Sequence, residues 1–247
     1  MNRYDEYTFT GKEWVQEILM GTSIVWGILY VFYRSFFVCM LGGIPLVWFY
    51  IRRRKHQKLQ ARRWQLNLEF KDGMQSVSAA LQAGYAIENS FHEAANDMKM
   101  LYGEESLIVQ EFTYMIAQLQ TNRTVEDVLA EFGERSGVED ISQFAGDVLV
   151  AKRTGGNLVE VIRSTVHNIS DKVEVKREIQ TMITAKQLES RVMNVIPIGM
   201  ILYMWIGSPG FLDPMYTTVM GRMVMSVGLG IYGLAFYIGE KILNIPV

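Results

Sequence analysis

The chain has 247 residues, of which 49% are hydrophobic and 20% are charged, so composition alone allows one or two globular domains. The single cysteine, Cys39, excludes an internal disulfide. The net charge of −2 indicates no class of partner, because positive and negative side chains are unevenly distributed along the sequence.

Four apolar windows without a charged residue lie in two pairs, one pair toward each end of the chain. They are residues 18–33, 35–51, 192–212 and 223–239. A bilayer core of roughly 30 Å needs about 17–25 apolar residues in a helix, and terminal Trp and Tyr side chains extend short spans into the interface. The windows therefore predict a polytopic membrane protein with spans at about 18–33, 35–51, 192–207 and 221–239. Burial of the same windows inside a soluble domain is the alternative interpretation.

The first pair of windows is too long for one span, because residues 18–51 would extend about 51 Å as a single helix. We expect breaks at Arg34-Ser35 and at the Gly42-Gly43…Pro45 run, with a tight hairpin that turns near Arg34. A single span preceded by an interfacial helix is the rival interpretation.

A basic run follows the first pair. Residues 52–63 contain seven Lys or Arg and no acid. The positive-inside rule places this run in the cytoplasm, together with the N-terminal segment 1–17 and the tail 240–247, and leaves loop 208–220 outside. The run is also typical of an anchor on anionic lipid. Nucleic-acid binding is disfavoured because no aromatic stacking pattern accompanies the run.

The middle region, residues 52–191, contains no proline and repeats apolar side chains at helical spacing. Two stripes are expected to form core: Leu107, Ile108, Phe112, Met115 and Leu119, then Ile141, Phe144, Ala145, Val148 and Leu149. The pattern predicts an all-α fold in which a cytoplasmic six-helix antiparallel bundle lies between the two pairs of spans. The expected helix pairs are 64–82 with 86–98, 104–120 with 124–135, and 138–153 with a helix that runs from 157 into the third span. A solvated charged helix that breaks at an unmarked position is the alternative interpretation of this last element.

Three similar joints connect these helix pairs. They are "AGYAIENSF" at 83–91, "TNRTVEDVL" at 121–129 and "GGNLVEVIR" at 155–163. The second residue of each is expected to adopt the left-handed conformation that ends a helix: Gly84, Asn122 and Gly156. A glutamate then falls in the first turn of the next helix, where it favours the positive end of the helix dipole. Thr124 with Asp127 is predicted to form an N-cap box.

Catalytic and cofactor motifs are missing from the sequence. The Gly155-Gly156 pair lacks the lysine and spacing of a phosphate-binding loop, no Cys/His spacing suits zinc, and no G-x-S-x-G elbow occurs. The apolar windows carry no Asp, Glu, Lys, Arg or His, which argues against a secondary transporter. We therefore expect a protein that is not an enzyme and needs no cofactor. A membrane-anchored signalling or scaffold module with a helical cytoplasmic domain is the alternative function.

A helical bundle that ends on a "TGGNL" joint, followed by a long charged helix and two C-terminal spans, resembles the type II secretion F-domain (GspF/PilC-like) family. The similarity is greatest to its TadB-like branch, which belongs to the tight-adherence (Flp) pilus machinery. The motifs that carry the resemblance are "LQAGYAIENSF" (81–91), "RTVEDVLAEF" (123–132), "AKRTGGNLVEVI" (151–162), "TAKQLESRVMNVIP" (184–197) and "MYTTVMGRMVM" (215–225). Long TadB-like chains often carry a further N-terminal span, which we expect to be absent here. Related platform proteins contain two F domains, whereas this sequence contains one.

The resemblance implies a platform protein of the bacterial inner membrane that couples a hexameric cytoplasmic ATPase to pilin assembly or secretion. The implied partners are that ATPase, pilin subunits and a homologous TadC-like platform protein, in a homo- or hetero-oligomer. The resemblance assigns no binding residues. A physical argument does: an ATPase would most easily meet the joints and the basic run, which nominates Arg52, Arg53, Arg54, Lys152, Arg153, Gly155 and Gly156. The competing interpretation is that the basic run only anchors and the glycines only turn the chain.

Overall fold

The computed structural model describes residues 11–34, 36–208 and 210–243, and every regular element in that part of the chain is an α-helix. The all-α prediction is confirmed. The helices are α1 (Gly11–Tyr33), α2 (Phe36–Gln82), α3 (Ile87–Tyr102), α4 (Leu107–Leu119), α5 (Val125–Ser136), α6 (Glu139–Thr154), α7 (Leu158–Gly207), α8 (Asp213–Thr217) and α9 (Val219–Leu243).

The chain divides into two compact units. The core unit, His56–Val175, comprises the C-terminal part of α2, all of α3 to α6 and the first part of α7. The apolar unit comprises the described residues of 9–55 and 176–247, and so contains α1, the start of α2, the rest of α7, α8 and α9.

Phenylalanines fill the centre of the core unit. Helices α2 to α6 each contribute one fully buried ring: Phe70, Phe91, Phe112, Phe132 and Phe144. The Phe70 ring lies 5.5 Å from Phe144 and 6.0 Å from Phe132, and the Phe91 and Phe112 rings meet edge to face at 5.6 Å. Tilted and edge-to-face pairs at such distances add to the burial of apolar area.

Helices α4, α5 and α6 run antiparallel to their neighbours in this series, as shown by the order of their contacts. Between α4 and α5, Arg135 binds Glu111, while Arg123 at the other end of the pair binds Gln118. Between α5 and α6, an added Cβ on Gly133 would lie 3.0 Å from Ser142 Cα, while Glu126 near the start of α5 binds Lys152 near the end of α6.

Most of the predicted core is buried. Ile108, Phe112 and Met115 of the first stripe are inaccessible to solvent. In the second stripe the prediction for Leu149 is wrong, because this side chain is 37% exposed. Leu149 lies at the edge of the apolar face of α6, where a helix of 3.6 residues per turn has already rotated it out of the core.

In the apolar unit, α1 and the start of α2 form an antiparallel hairpin. Arg54 approaches Glu17, with 3.5 Å between Nε and Oε2, and Tyr50 covers Gly21. The break predicted at Arg34 is confirmed, since α1 ends at Tyr33 and Arg34 has φ = +46°.

The break predicted at Gly42-Gly43…Pro45 is wrong, and so is the helix start near residue 64. Helix α2 continues through Pro45 and through the basic run to Gln82. Proline removes one backbone donor and clashes locally, but the other backbone groups of the helix keep their hydrogen bonds, so α2 continues past it. The expectation that α7 runs unbroken from the third joint into the predicted third span is confirmed.

Three helices of the described part are long and apolar enough to cross a membrane: Trp14–Tyr33, Leu158–Gly207 and Val219–Ile242. They include the first, third and fourth predicted spans. Of the second predicted span, residue 35 and the side chains of 36–42 lie outside the described residues. The predicted loop 208–220 contains the short helix α8.

Candidate partner-binding residues

The third joint connects α6 to α7 and holds four of the nominated residues. Gly155 ends α6 with φ = +72°, a left-handed conformation that glycine adopts without steric cost. The amide of Gly156 then donates to the carbonyl of Ala151 over 2.6 Å. Asn157 Oδ1 accepts from the amide of Val159 at 3.0 Å and so caps the start of α7. The joint is therefore a closed turn whose backbone groups are bonded within it.

The prediction that Gly156 takes the left-handed conformation is wrong, since that residue is Gly155. The sequence comparison aligned the joints on their glutamates, whereas the structure aligns them on the residue of positive φ. These residues are Gly84, Asn122 and Gly155, with φ of +92°, +61° and +72°. In each joint the next helix begins three residues after the residue of positive φ. The glutamate of the third joint, Glu160, therefore lies one position further into its helix than the glutamates of the other two joints.

All three joints use the same hydrogen bond. The amide after the left-handed residue donates to the carbonyl five residues earlier, which is the signature of a Schellman motif. The pairs are Tyr85 to Ala80 at 3.1 Å, Arg123 to Gln118 at 3.4 Å and Gly156 to Ala151 at 2.6 Å. The predicted structural repeat is thus real, with its register shifted by one residue in the third copy.

The second and third joints lie side by side at one end of the α5–α6 pair. Lys152 Nζ forms an ion pair with Glu126, whose side chain is only 9% exposed. Arg153 is exposed and forms no ion pair within the part of the chain that the structure describes. An ideal Cβ built on Gly155 would meet no atom within 4 Å. Among the nominated residues at this end, Arg153 and Gly155 are therefore the most accessible, and Lys152 is engaged.

The second joint carries a charge network that the sequence did not reveal. Glu131 binds Arg123 and also accepts from Tyr114 Oη at 3.0 Å. The pKa of the Glu131 carboxyl is lowered, chiefly by the hydrogen bond from Arg123. Partial burial of Glu131 acts in the opposite direction but does not outweigh it. Arg123 stands before α5 and Glu131 lies two turns into it, so no i, i+4 spacing announces the pair.

The nominated arginines of the basic run have partners within the apolar unit. Arg53 forms an ion pair with Glu240 near the end of α9, and Arg54 contacts Glu17 and the hydroxyl of Tyr50. The Arg52 guanidinium carbon lies 5.5 Å from the ring centre of Trp48, one helical turn earlier. Arg54 thus links the middle of α2 to the first part of α1, and Arg53 links it to the end of α9.

The nominated residues therefore fall into two groups that belong to different units. Arg52, Arg53 and Arg54 belong to the apolar unit, whereas Lys152, Arg153, Gly155 and Gly156 belong to the core unit. A role of either group in binding an ATPase stays a prediction.

Chemically, these sites can bind and orient a partner. No cluster of three metal-ligating side chains occurs among the residues that the structure describes. The buried acids of the core unit have structural partners. Glu69 Oε2 accepts from the amide of Ile108 at 3.0 Å, at the start of α4, and Glu111 receives two hydrogen bonds from Arg135.

An all-helical fold, with three helices in the described part that are long and apolar enough to cross a membrane, points to a membrane protein. The family model of the type II secretion system (T2SS) protein F matches residues 74–206, which is more than half of the chain. The chain belongs to this family, whose members are membrane platform proteins of secretion and pilus assembly rather than enzymes. No curated protein and no solved structure showed significant similarity to the chain.

The family match begins within α2, covers the three joints and ends one residue before the end of α7. It therefore includes the nominated residues of the third joint and leaves out Arg52, Arg53 and Arg54.

Proposed function

We propose that this protein is the inner-membrane platform of a bacterial type II secretion or Tad/Flp-like pilus system. In this role it couples a hexameric cytoplasmic ATPase to pilin assembly or protein secretion, without catalysing a reaction itself. The observation that carries the proposal is the family match over residues 74–206. The TadB-like sequence motifs favour a tight-adherence system among the branches of the family.

The proposed topology places the core unit in the cytoplasm as a six-helix bundle, with both chain ends on the same side. The basic run supports this orientation, because Lys and Arg accumulate on the cytoplasmic side of membrane spans. The ion pairs of Arg53 with Glu240 and of Arg54 with Glu17 fit the same arrangement, since they bring the first part of α1 and the end of α9 to the basic run.

The surface proposed to meet the ATPase is the end of the core unit formed by the second and third joints. The Schellman turns fix the backbone of these joints. Side chains on the joints can therefore contact a partner without a large entropic cost for ordering the backbone on binding. Arg153 is accessible there and, within the described residues, not engaged by an acid. A homologous TadC-like protein or a second copy would complete the platform, and pilin subunits would contact the membrane helices.

Two experiments test the proposal. Deletion of the gene should abolish surface pili or secretion of the substrate, and normal assembly in a strain without a paralogue would contradict the platform function. For the contact surface, a photoreactive amino acid at position 153 should capture the ATPase in cells.

The matched control for the contact surface is Arg177, which lies on α7 outside the joints, is exposed and has no ion pair within the described residues. The charge reversals Arg153→Glu and Arg177→Glu are chemically identical, and only the first should reduce pilus assembly and ATPase capture. Equal effects of both reversals, or capture only from position 177, would show that the joint is not the contact surface.

A further inference from the structure

A small pocket in the apolar unit is lined by none of the residues nominated above. Its apolar lining, here called the floor, consists of Val31 of α1 with Ile201 and Leu202 of α7. The rest of its lining, here called the mouth, combines three aromatic side chains with one cation: Tyr30, Trp205, Tyr216 and Arg34.

The pocket lies where the candidate membrane spans end. The span Trp14–Tyr33 ends beside Arg34, the span within α7 ends at Gly207, and the span of α9 begins at Val219, shortly after Tyr216. Trp and Tyr concentrate at the boundary between hydrocarbon and water, where one end of the side chain is apolar and the other is hydrated. We therefore expect the pocket to lie at the level of the lipid headgroups.

Arg34 is held in place at this mouth. Its backbone has φ = +46°, which is uncommon for a residue with a side chain, and its amide donates to the carbonyl of Tyr30 at 2.9 Å. The guanidinium carbon lies 5.6 Å from the ring centre of Trp205, and Nη1 lies 3.6 Å from Asp213 Oδ1. The Arg34 side chain is 48% exposed, so this long ion pair leaves guanidinium donors free to bind a second anion.

Tyr216 fixes the other side of the mouth. Its hydroxyl donates to the carbonyl of Val31 at 2.9 Å, and its own carbonyl accepts from Arg222 Nε at 2.9 Å. The described residues around the mouth thus include two arginines, Arg34 and Arg222, and one acid, Asp213. The excess positive charge favours an anion, and the apolar floor favours a ligand with a hydrocarbon part.

We propose that this pocket binds one anionic phospholipid, with the phosphate at Arg34 and an acyl chain over Val31, Ile201 and Leu202. The site differs from the basic run, because it lies at the opposite end of the α1–α2 hairpin from Arg54 and Glu17. It does not depend on the proposed platform function, so each can fail without the other.

The test uses the full chain in detergent with photoreactive phosphatidylglycerol, whose acyl chain carries a diazirine, and identifies the labelled peptides by mass spectrometry. Label is expected on the peptides that contain residues 30–34 and 201–205. Arg34→Gln should reduce the label about fivefold, as expected for loss of one arginine that attracts an anionic lipid. Asp213→Asn should increase the label, because it removes the acid that competes for Arg34. Arg34→Lys should retain most of the label, which shows that loss in Arg34→Gln is not misfolding.

Four results would overturn the proposal. The first is an equal loss of label in Lys241→Gln, which removes a cation at the far end of α9 and would indicate unspecific attraction. The second is equal labelling by photoreactive phosphatidylcholine. The third is full protection by soluble glycerol phosphate at the same concentration, which would identify the ligand as a free phosphate. Capture of a protein helix at this pocket in native membranes, with no lipid label, would assign the site to a protein partner instead.

Discussion

The ion pair between Glu111 and Arg135 permits a quantitative prediction about the core unit. Arg135 Nη1 and Nη2 donate to the two carboxylate oxygens of Glu111 at 3.2 and 2.8 Å. The Glu111 side chain is 2% exposed, and that of Arg135 is 16% exposed. The guanidinium also lies 5.0 Å from the ring centre of Tyr114. The pair is thus desolvated and bidentate, and it joins α4 to α5.

Arg135→Met should destabilise the core unit by about 3 kcal/mol, because removal of one partner leaves a buried carboxylate without its counter-charge. The double variant Glu111→Leu/Arg135→Met should lie within about 1 kcal/mol of wild type, since no buried charge is then left unpaired. Arg123→Met is the control, because Arg123 pairs with Glu131 while 42% exposed and should contribute less than about 1 kcal/mol.

Amide hydrogen exchange on the full chain in detergent measures these differences helix by helix. A loss of about 3 kcal/mol corresponds to roughly 100-fold faster exchange of the most protected amides in α4 and α5. If Arg135→Met accelerated exchange no more than Arg123→Met, the pair would not be acting as a buried ion pair. Exchange in the double variant as fast as in the single one would show that packing of the arginine stem, and not its charge, is what matters.

Three further predictions concern the joint, the helix hairpin and pH. Gly155→Ala should lower the free energy of unfolding by about 1 kcal/mol because the residue has a positive φ, whereas Gly155→Asn should lower it less. Thermal unfolding of the two variants measures this difference, and equal losses of stability would contradict it. Gly21→Val should disrupt the α1–α2 hairpin because an added Cβ would lie 2.7 Å from the Tyr50 ring. Gly27→Val is the control, because a Cβ at Gly27 meets no atom within 4 Å. Protease accessibility of the hairpin turn should rise in Gly21→Val and stay unchanged in Gly27→Val. The lowered pKa of Glu131 contributes stability that is fully present above the ordinary value of 4.5 and is lost as the pH falls through the lower folded-state value. Unfolding temperatures between about pH 6 and about pH 3 should therefore fall more steeply for wild type than for Glu131→Gln, and parallel curves would refute the assignment.

The spacing of apolar residues and the residues that end helices were sufficient to predict most of the helices of this protein. Apolar spacing located Ile108, Phe112 and Met115 in the core, and uncharged windows located three of the helices able to cross a membrane. These features are local, since each depends on residues within a few turns of one another. The cap that Thr124 forms with the amide of Asp127 was predictable for the same reason.

Only the tertiary structure decided which charges are engaged. Arg53 and Glu240 are 187 residues apart, and Arg135 and Glu111 are 24 apart, so no spacing rule connects them. Because such long-range contacts leave no pattern in the sequence, the ion partners of the arginines in the basic run could not be predicted. The pocket around Arg34 could not be predicted for the same reason. The position of the left-handed glycine in the third joint also depended on backbone hydrogen bonds, because two adjacent glycines are equally able to adopt it.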